Sequence, residues 1–330
     1  MARGNRSKPP GERTEEEREQ DREQRAQRTK VRHRRRGAPR SARAGIVALL
    51  VLALLVVALG AVVFVRALRN ATLSPQPVAT VKVVNVPIPE GETRLQIAEL
   101  AKADGLTGSY RKAAKRSPLL NPATYGAPRG TPDLEGFLFP ATYEMDAGAP
   151  VGRLVAEQLT AFRERFGHDQ IKRAHELHVT PYQLLTVASM VEREAQLPGD
   201  RPKIAAVIYN RLRVGMPLGI DATIYYAVEE ARGIATDTHE LTESQLHIDS
   251  PYNTRTRHGL PPTPISNPGM ASIEAAAHPA RVPYLYYVAG ADGCGEQVFS
   301  TTFARFERDA AAYEAAVKHN GGKPPVCKKK

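Results

Sequence analysis

An α+β fold carried behind a single membrane-spanning helix is the architecture this sequence predicts, and three features predict it. Residues Ala44 to Val65 form 22 consecutive positions without a charge. Downstream, helical apolar periodicity alternates with short runs rich in Val, Tyr and Phe. These runs follow no regular strand–helix–strand rhythm, which favours separated helices and small sheets over a parallel doubly wound sheet.

Residues 1–43 are dominated by Arg, Glu and Gln, with almost no apolar side chains. Such a segment cannot bury enough surface to offset its ordering entropy and is expected to be disordered. It also holds most of the basic excess. Residues 1–44 carry fifteen Lys/Arg against seven Asp/Glu, which is +8 of the formal +11. The high isoelectric point therefore describes a tail, and nucleic acid is not an expected partner.

At about 1.5 Å per residue, the apolar stretch matches the ~30 Å hydrocarbon core of a bilayer. It is longer than the apolar part of a cleaved signal peptide and is followed by Arg66 and Arg69, so a retained anchor over 44–66 is expected. The Arg cluster of residues 32–43 places the N-terminus in the cytoplasm and residues 67–330 outside it. The same cluster would lie against anionic lipid head groups.

Residues 67–80 read as a linker, 81–177 as a small α+β subdomain, 178–320 as the larger domain and 321–330 as a disordered tail. Within them, Val81 to Val86 is a β-type run, Ile88-Pro89-Glu90-Gly91 a turn, and Thr93 to Asp104 a helix. Residues 117–133 are Pro- and Gly-rich loop, and a helix follows from about Val151 to Phe166. A second helix begins at Thr180-Pro181, an N-cap residue followed by Pro at the first helical position, and runs to about Gln196. Asp200 to Val214 is a further helix and 245–270 an extended loop. Pro283 to Ala289 is a strand with Val298-Phe299-Ser300 as its partner, and Ala304 to Lys318 closes the chain as a helix.

The two cysteines, Cys294 and Cys327, form no metal-ligand pattern. Outside the cytoplasm they could pair. Cys327 sits in a Lys-rich end, so two free thiols are the simpler expectation.

Chemistry has few places to sit. No phosphate-binding loop, dinucleotide fingerprint, GxSxG or HExxH occurs, so neither a metal nor an organic cofactor is expected. Glu192 and Glu194 lie on the helix after Thr180, whose apolar stripe centres near Leu184, Ala188 and Val191. They fall about 80° to either side of that stripe, while Thr186, Ser189 and Arg193 fall on the opposite, exposed face. A carboxylate at such a border can be desolvated and raised into the range of a general acid. The simpler reading is a solvated helix end with a Glu–Arg contact, and periodicity does not choose between the two glutamates. Asp221, Tyr252-Asn253-Thr254, Gly259 to Pro262 and Asn267-Pro268-Gly269 are loop residues that suit either sugar contact or plain turn chemistry. His278 is a lone candidate, more simply structural.

Taken together, several of these segments resemble one family. Residues 187–226, Ser250 to Thr254, 259–269, Ala276 to Pro279, Tyr284 to Val288, Leu134 to Pro140 and Pro89-Glu90-Gly91 are similar, in order, to the endolytic murein transglycosylases of the MltG, or YceG-like, family. The resemblance covers roughly 81–318. It implies an anchored enzyme cutting peptidoglycan glycan strands at the β-1,4 bond between N-acetylmuramic acid and N-acetylglucosamine. The family's catalytic glutamate falls on Glu194, acting first as acid and then as base, with 1,6-anhydro ends as product. Asp221, Tyr252 and Asn253 would bind glycan, and wall-synthesis proteins become candidate partners.

The sequence departs from the family pattern in four ways. Ala222 stands where Pro is usual, Thr263 interrupts GLPPGPI, Gln297 and Phe306 stand where histidines are common, and the LysM-like region is shortened. A hydrolase using the same glutamate, and a non-catalytic wall-binding scaffold, are the alternatives. The aminodeoxychorismate lyase label borne by some relatives denotes a cytosolic cofactor enzyme and does not suit an external domain.

Overall fold

The computed structural model describes residues 40–70, 82–235 and 241–327. The expected disorder before residue 40, the expected linker beyond Asn70 and the last three residues of the tail lie outside these; residues 67–70, read as the start of the 67–80 linker, continue the helix. The chain divides into two units, one ending at Ala79 and one starting at Thr80.

In the first unit, helix α1 (Arg40–Asn70) extends past both ends of the uncharged stretch. Its Ile, Leu and Val side chains between positions 46 and 65 are all more than half exposed. That much bare apolar surface is unfavourable in water, and Gly45–Ala67 is long and apolar enough to cross a membrane.

The second unit is α+β, as the sequence predicts. Strand β1 (Val83–Pro87) pairs antiparallel with β2 (Thr142–Asp146), Val83 opposite Asp146 and Pro87 opposite Thr142. Between them run α2 (Arg94–Ala103) and the short α3 (Tyr110–Ala113). Thr93 caps α2 by a reciprocal capping box with Gln96. Helices α4 (Val151–Arg165), α5 (His168–Glu176), α6 (Pro181–Glu194), α7 (Arg201–Arg213) and α8 (Asp221–Arg232) follow. The short α9 (Glu243–Leu246), α10 (Met270–Ala277), the hairpin β3 (Tyr286–Ala289) with β4 (Gln297–Ser300), and α11 (Phe303–His319) complete the unit.

Helix α6 is the axis of the unit. Its start matches expectation, with Thr180 accepting from the Gln183 amide and Pro181 at the first position. Its environment does not. Helices α5, α7, α8 and α10 all pack on it, so Thr186 and Ser189, expected on an exposed face, are buried. Both hydroxyls are satisfied: Thr186 donates to the Tyr182 carbonyl at 2.9 Å and Ser189 to that of Thr186 at 2.8 Å. Ser189 Oγ also accepts from the Ile265 amide at 3.0 Å, tying α6 to the Pro-rich loop before α10.

One hydrophobic core runs through residues from both sides of position 177, with Phe137 stacked on Tyr182 at 5.9 Å. Asn267 joins the same halves through four hydrogen bonds. Its Oδ1 accepts from the Gly136 and Leu138 amides, each at 2.9 Å, and its Nδ2 donates to the Glu92 carbonyl at 3.0 Å and to Glu135 Oε1 at 2.7 Å. Gly136 has φ +87°, and a Cβ there would lie 2.5 Å from Pro264 Cγ, so the turn admits only glycine. Glu135 is enclosed, and burial together with nearby Asp133 pushes its carboxyl well above the usual range.

Cys294 and Cys327 are disulfide-bonded, correcting the expectation of free thiols. The segment after α11 folds back over the β3–β4 turn, and a Cβ at Gly293 would lie 2.1 Å from the Pro325 carbonyl oxygen. The Lys-rich composition of the end conceals this return.

Candidate active site

The two glutamates at the end of α6 have different surroundings. Glu192 has an almost fully buried side chain. Its Oε2 accepts from the Gly269 amide at 2.8 Å, and its Oε1 lies 3.5 Å from Arg201 Nη2. Gly269 is the N-cap of α10, so this carboxylate closes the start of a neighbouring helix. Glu90 lies beside it, and its carboxyl is raised by burial and by the Glu192 charge. Every feature of Glu192 is structural.

Glu194 is the last residue of α6 and is partly open to the surface. The Tyr287 hydroxyl donates to its Oε2 at 3.0 Å, and the backbone N–H of Ala222 donates to the same carboxylate. Burial raises the Glu194 carboxyl above its ordinary value, and the Asp221 charge adds to this; the two donors and Arg193 act against the shift without cancelling it. The site thus combines a positioned carboxyl that holds its proton more tightly than usual with one side open to a ligand. That combination suits a general acid that later serves as a base.

Three elements build this position. The first turn of α8 presents the Ala222 amide, and a helix N-terminus favours a carboxylate. Strand β3 presents Tyr287, whose hydroxyl is pushed far above the usual phenol range by burial and by Glu194, so it remains a donor. Helix α7 supplies Arg211, which donates from Nε to the Leu285 carbonyl at 2.6 Å and from Nη1 to that of Leu218. Its guanidinium lies over the Tyr286 ring, 5.4 Å from the centroid. Arg211 therefore braces β3 and the residues before α8 around the glutamate. Gly295, in the β3–β4 turn, lies against Gln196 and Leu197, the residues that follow Glu194.

The other residues singled out in the sequence are distributed differently. Asp221 adjoins Glu194 in the first turn of α8 and is held by Arg255 at 2.7 Å. Tyr252 is half-buried, edge-on to Tyr226, with its hydroxyl 3.0 Å from Thr263 Oγ1. Asn253 is fully enclosed; its Nδ2 donates to the carbonyls of Leu246 and Ile248 at 3.0 Å each, and its Oδ1 accepts from the Arg255 amide at 3.1 Å. That bond fixes the backbone from which Arg255 reaches Asp221. His278 ends α10, exposed and 3.6 Å from Glu274, away from the glutamate site. Gln297 donates its amide to Asp200 at 2.8 Å, while its buried Oε1 has no partner among the described residues. Phe306 stacks on Tyr286, so the two positions where the family has histidines here support the hairpin. Neither Tyr287 nor Arg211 stands out as a site residue in the sequence; both lie within the segments similar to the family, 187–226 and Tyr284 to Val288, which give no role to either.

Comparison with known proteins places the chain among relatives. The chain is 38% identical over 184 residues to an endolytic murein transglycosylase of Bacillus subtilis, covering 54% of this chain and 48% of that one. It is 33% identical over 229 residues to one from Streptococcus pneumoniae, covering 61% and 40%. It thus spans less than half the length of these relatives. A solved structure of a yceG-like protein from Listeria monocytogenes superposes with a TM-score of 0.59 at 31% identity, over 68% of this chain and 75% of the other. A model of the YceG-like family matches residues 62–312, and the chain belongs to that family.

Proposed function

We propose that the protein is a membrane-anchored lytic transglycosylase that cleaves the β-1,4 bond between N-acetylmuramic acid and N-acetylglucosamine in peptidoglycan strands. The observation that carries this is the Glu194 carboxyl, raised by burial and held by Tyr287 and Ala222. The names of the Bacillus and Streptococcus relatives support the substrate. The apolar α1 supports an anchor, and the basic residues before it support a cytoplasmic N-terminus with the second unit outside.

In the reaction, protonated Glu194 donates to the glycosidic oxygen and the N-acetylglucosamine side departs as an alcohol. The Glu194 carboxylate then removes the proton from the C6 hydroxyl of the muramic acid as its oxygen attacks C1. The 1,6-anhydro ring closes, Glu194 regains its proton, and no water is consumed. One carboxyl serves both steps, where an ordinary glycosidase uses two. The Tyr287 and Ala222 donors stabilise the carboxylate formed between the steps. Tyr252 offers a ring edge to the glycan, Asp221 and Arg255 border the reacting sugar, and Asn253 holds the loop that carries them.

The test is mass spectrometry of purified strands after incubation with the full-length protein. Anhydro-muramic ends that vanish with Glu194→Gln are expected. Reducing ends would point to a hydrolase, and intact strands would overturn the enzymatic reading.

A further inference from the structure

A concave surface lies in the part of the unit before α4. From Gly105 to Pro132 the chain has five cations, Arg111, Lys112, Lys115, Arg116 and Arg129, and no Asp or Glu. Three of them, Lys115, Arg116 and Arg129, line a cavity of about 540 Å³ together with Ser117, Asn121 and Thr131. Three prolines stiffen its wall. The one carboxylate lining it, Asp133, is buried and bonded to Arg94 at 2.8 Å, so the cations face no compensating charge from that side. Arg111 continues the basic surface to the far end of α8, where its guanidinium lies 3.3 Å from the Cβ position of the C-cap Gly233. The Ala222 amide in the first turn of that same helix donates to Glu194, so Arg111 and the glutamate lie at opposite ends of a 12-residue helix about 18 Å long.

We propose that this cavity binds the free carboxylates of the acidic peptides borne by the muramic acids of a glycan strand. This rests on the function proposed above. A concave, rigid cavity with three cations and hydroxyl and amide groups suits a short polyanionic peptide. With Arg111 at one end of α8 and Glu194 at the other, a strand can engage the glutamate through its sugars while a peptide on another unit meets the basic surface.

The experiment measures binding of the full-length protein in detergent to three ligands by fluorescence polarisation: strands carrying acidic peptides, the same strands stripped of peptide, and strands whose peptide carboxylates are amidated. The Glu194→Gln background keeps the strands intact. The wild-type cavity should prefer the acidic strands over the other two by about tenfold. Combined Lys115→Ala, Arg116→Ala and Arg129→Ala should abolish that preference without changing binding to stripped strands, which also reports that the variant is folded. Equal binding to all three strands by the wild-type cavity would overturn the proposal. So would a loss with the triple variant seen only on vesicles of phosphatidylglycerol. Cleavage of stripped strands by the protein with Glu194 intact is scored separately, so a failed cleavage reading and a failed cavity reading give different results.

Discussion

The Tyr287 hydroxyl and the Glu194 carboxylate meet at 3.0 Å, joining a strand to the end of a helix 93 residues earlier in the chain. The bond favours the ionised carboxylate, so its removal raises the Glu194 carboxyl further. In Tyr287→Phe, Glu194 should stay protonated to higher pH. A hydrogen bond to a charged group contributes roughly 1.5–3 kcal/mol, or about one to two pH units. The alkaline limb of the kcat profile should move upward while kcat at its maximum falls. An unchanged limb would show that the phenol does not act on the acid.

Ala222→Pro tests the second donor. Proline has no N–H and is tolerated in a first helical turn, so the α8 start should survive while the Glu194 carboxylate loses a partner. The pH limb should move in the same direction as for Tyr287→Phe, with thermal stability little altered. Calorimetry beside the pH profile separates this from general unfolding.

The paired glutamates should part company. Glu194→Gln should cost on the order of 10²–10⁴-fold in rate and leave the melting temperature unchanged or higher, because a buried, raised carboxyl is replaced by a neutral group. Glu192→Gln should retain most activity and lose roughly 1 kcal/mol, through its buried contact with Arg201. The reverse pattern would overturn the site assignment.

Asn267 makes four hydrogen bonds between the two halves of the core, three of them buried. Asn267→Ala leaves two amides, a carbonyl and the Glu135 carboxylate short of a partner. A loss of about 3–5 kcal/mol is expected in denaturant unfolding, with no shift in the pH profile of any remaining activity.

Glu229 gives a stability signature. It is buried, accepts from the Thr93 hydroxyl, and is pushed up to about 7, chiefly by burial. The folded state therefore binds this proton more tightly than the unfolded chain, in which the carboxyl titrates near 4.5. Between those values the folded state holds more protons, so stability falls as pH rises from about 4.5 to about 7, by of order 1–3 kcal/mol. Glu229→Gln should flatten this window and stabilise the protein at pH 8. A wild-type melting temperature that rose across it would contradict the assignment.

What the sequence revealed and what it hid divide along contact range. The start of α6 was legible because Thr180, Pro181 and Gln183 settle it locally. The hairpin was legible because Tyr286 to Ala289 has strand composition and a short return. Helix α8 is hard to read because Ile224, Tyr226 and Val228 are aromatic or β-branched and buried on several sides, leaving little polar face. Helix α10 was missed at the edge of a Pro-rich loop, where Gly269 offers no side-chain cap. The choice between Glu192 and Glu194 depends on what α10 and β3 bring to each, 77 and 93 residues away, which local periodicity does not contain.

The Cys294–Cys327 bridge gives the chain a built-in topology reporter. Such a bond persists where thiols are oxidised and is scarce in a reducing cytosol. Under the anchored topology proposed above, its state in intact cells records which side of the membrane the second unit occupies, with no fusion tag attached. Protein trapped on the inner side would present two alkylatable thiols and migrate differently on a non-reducing gel.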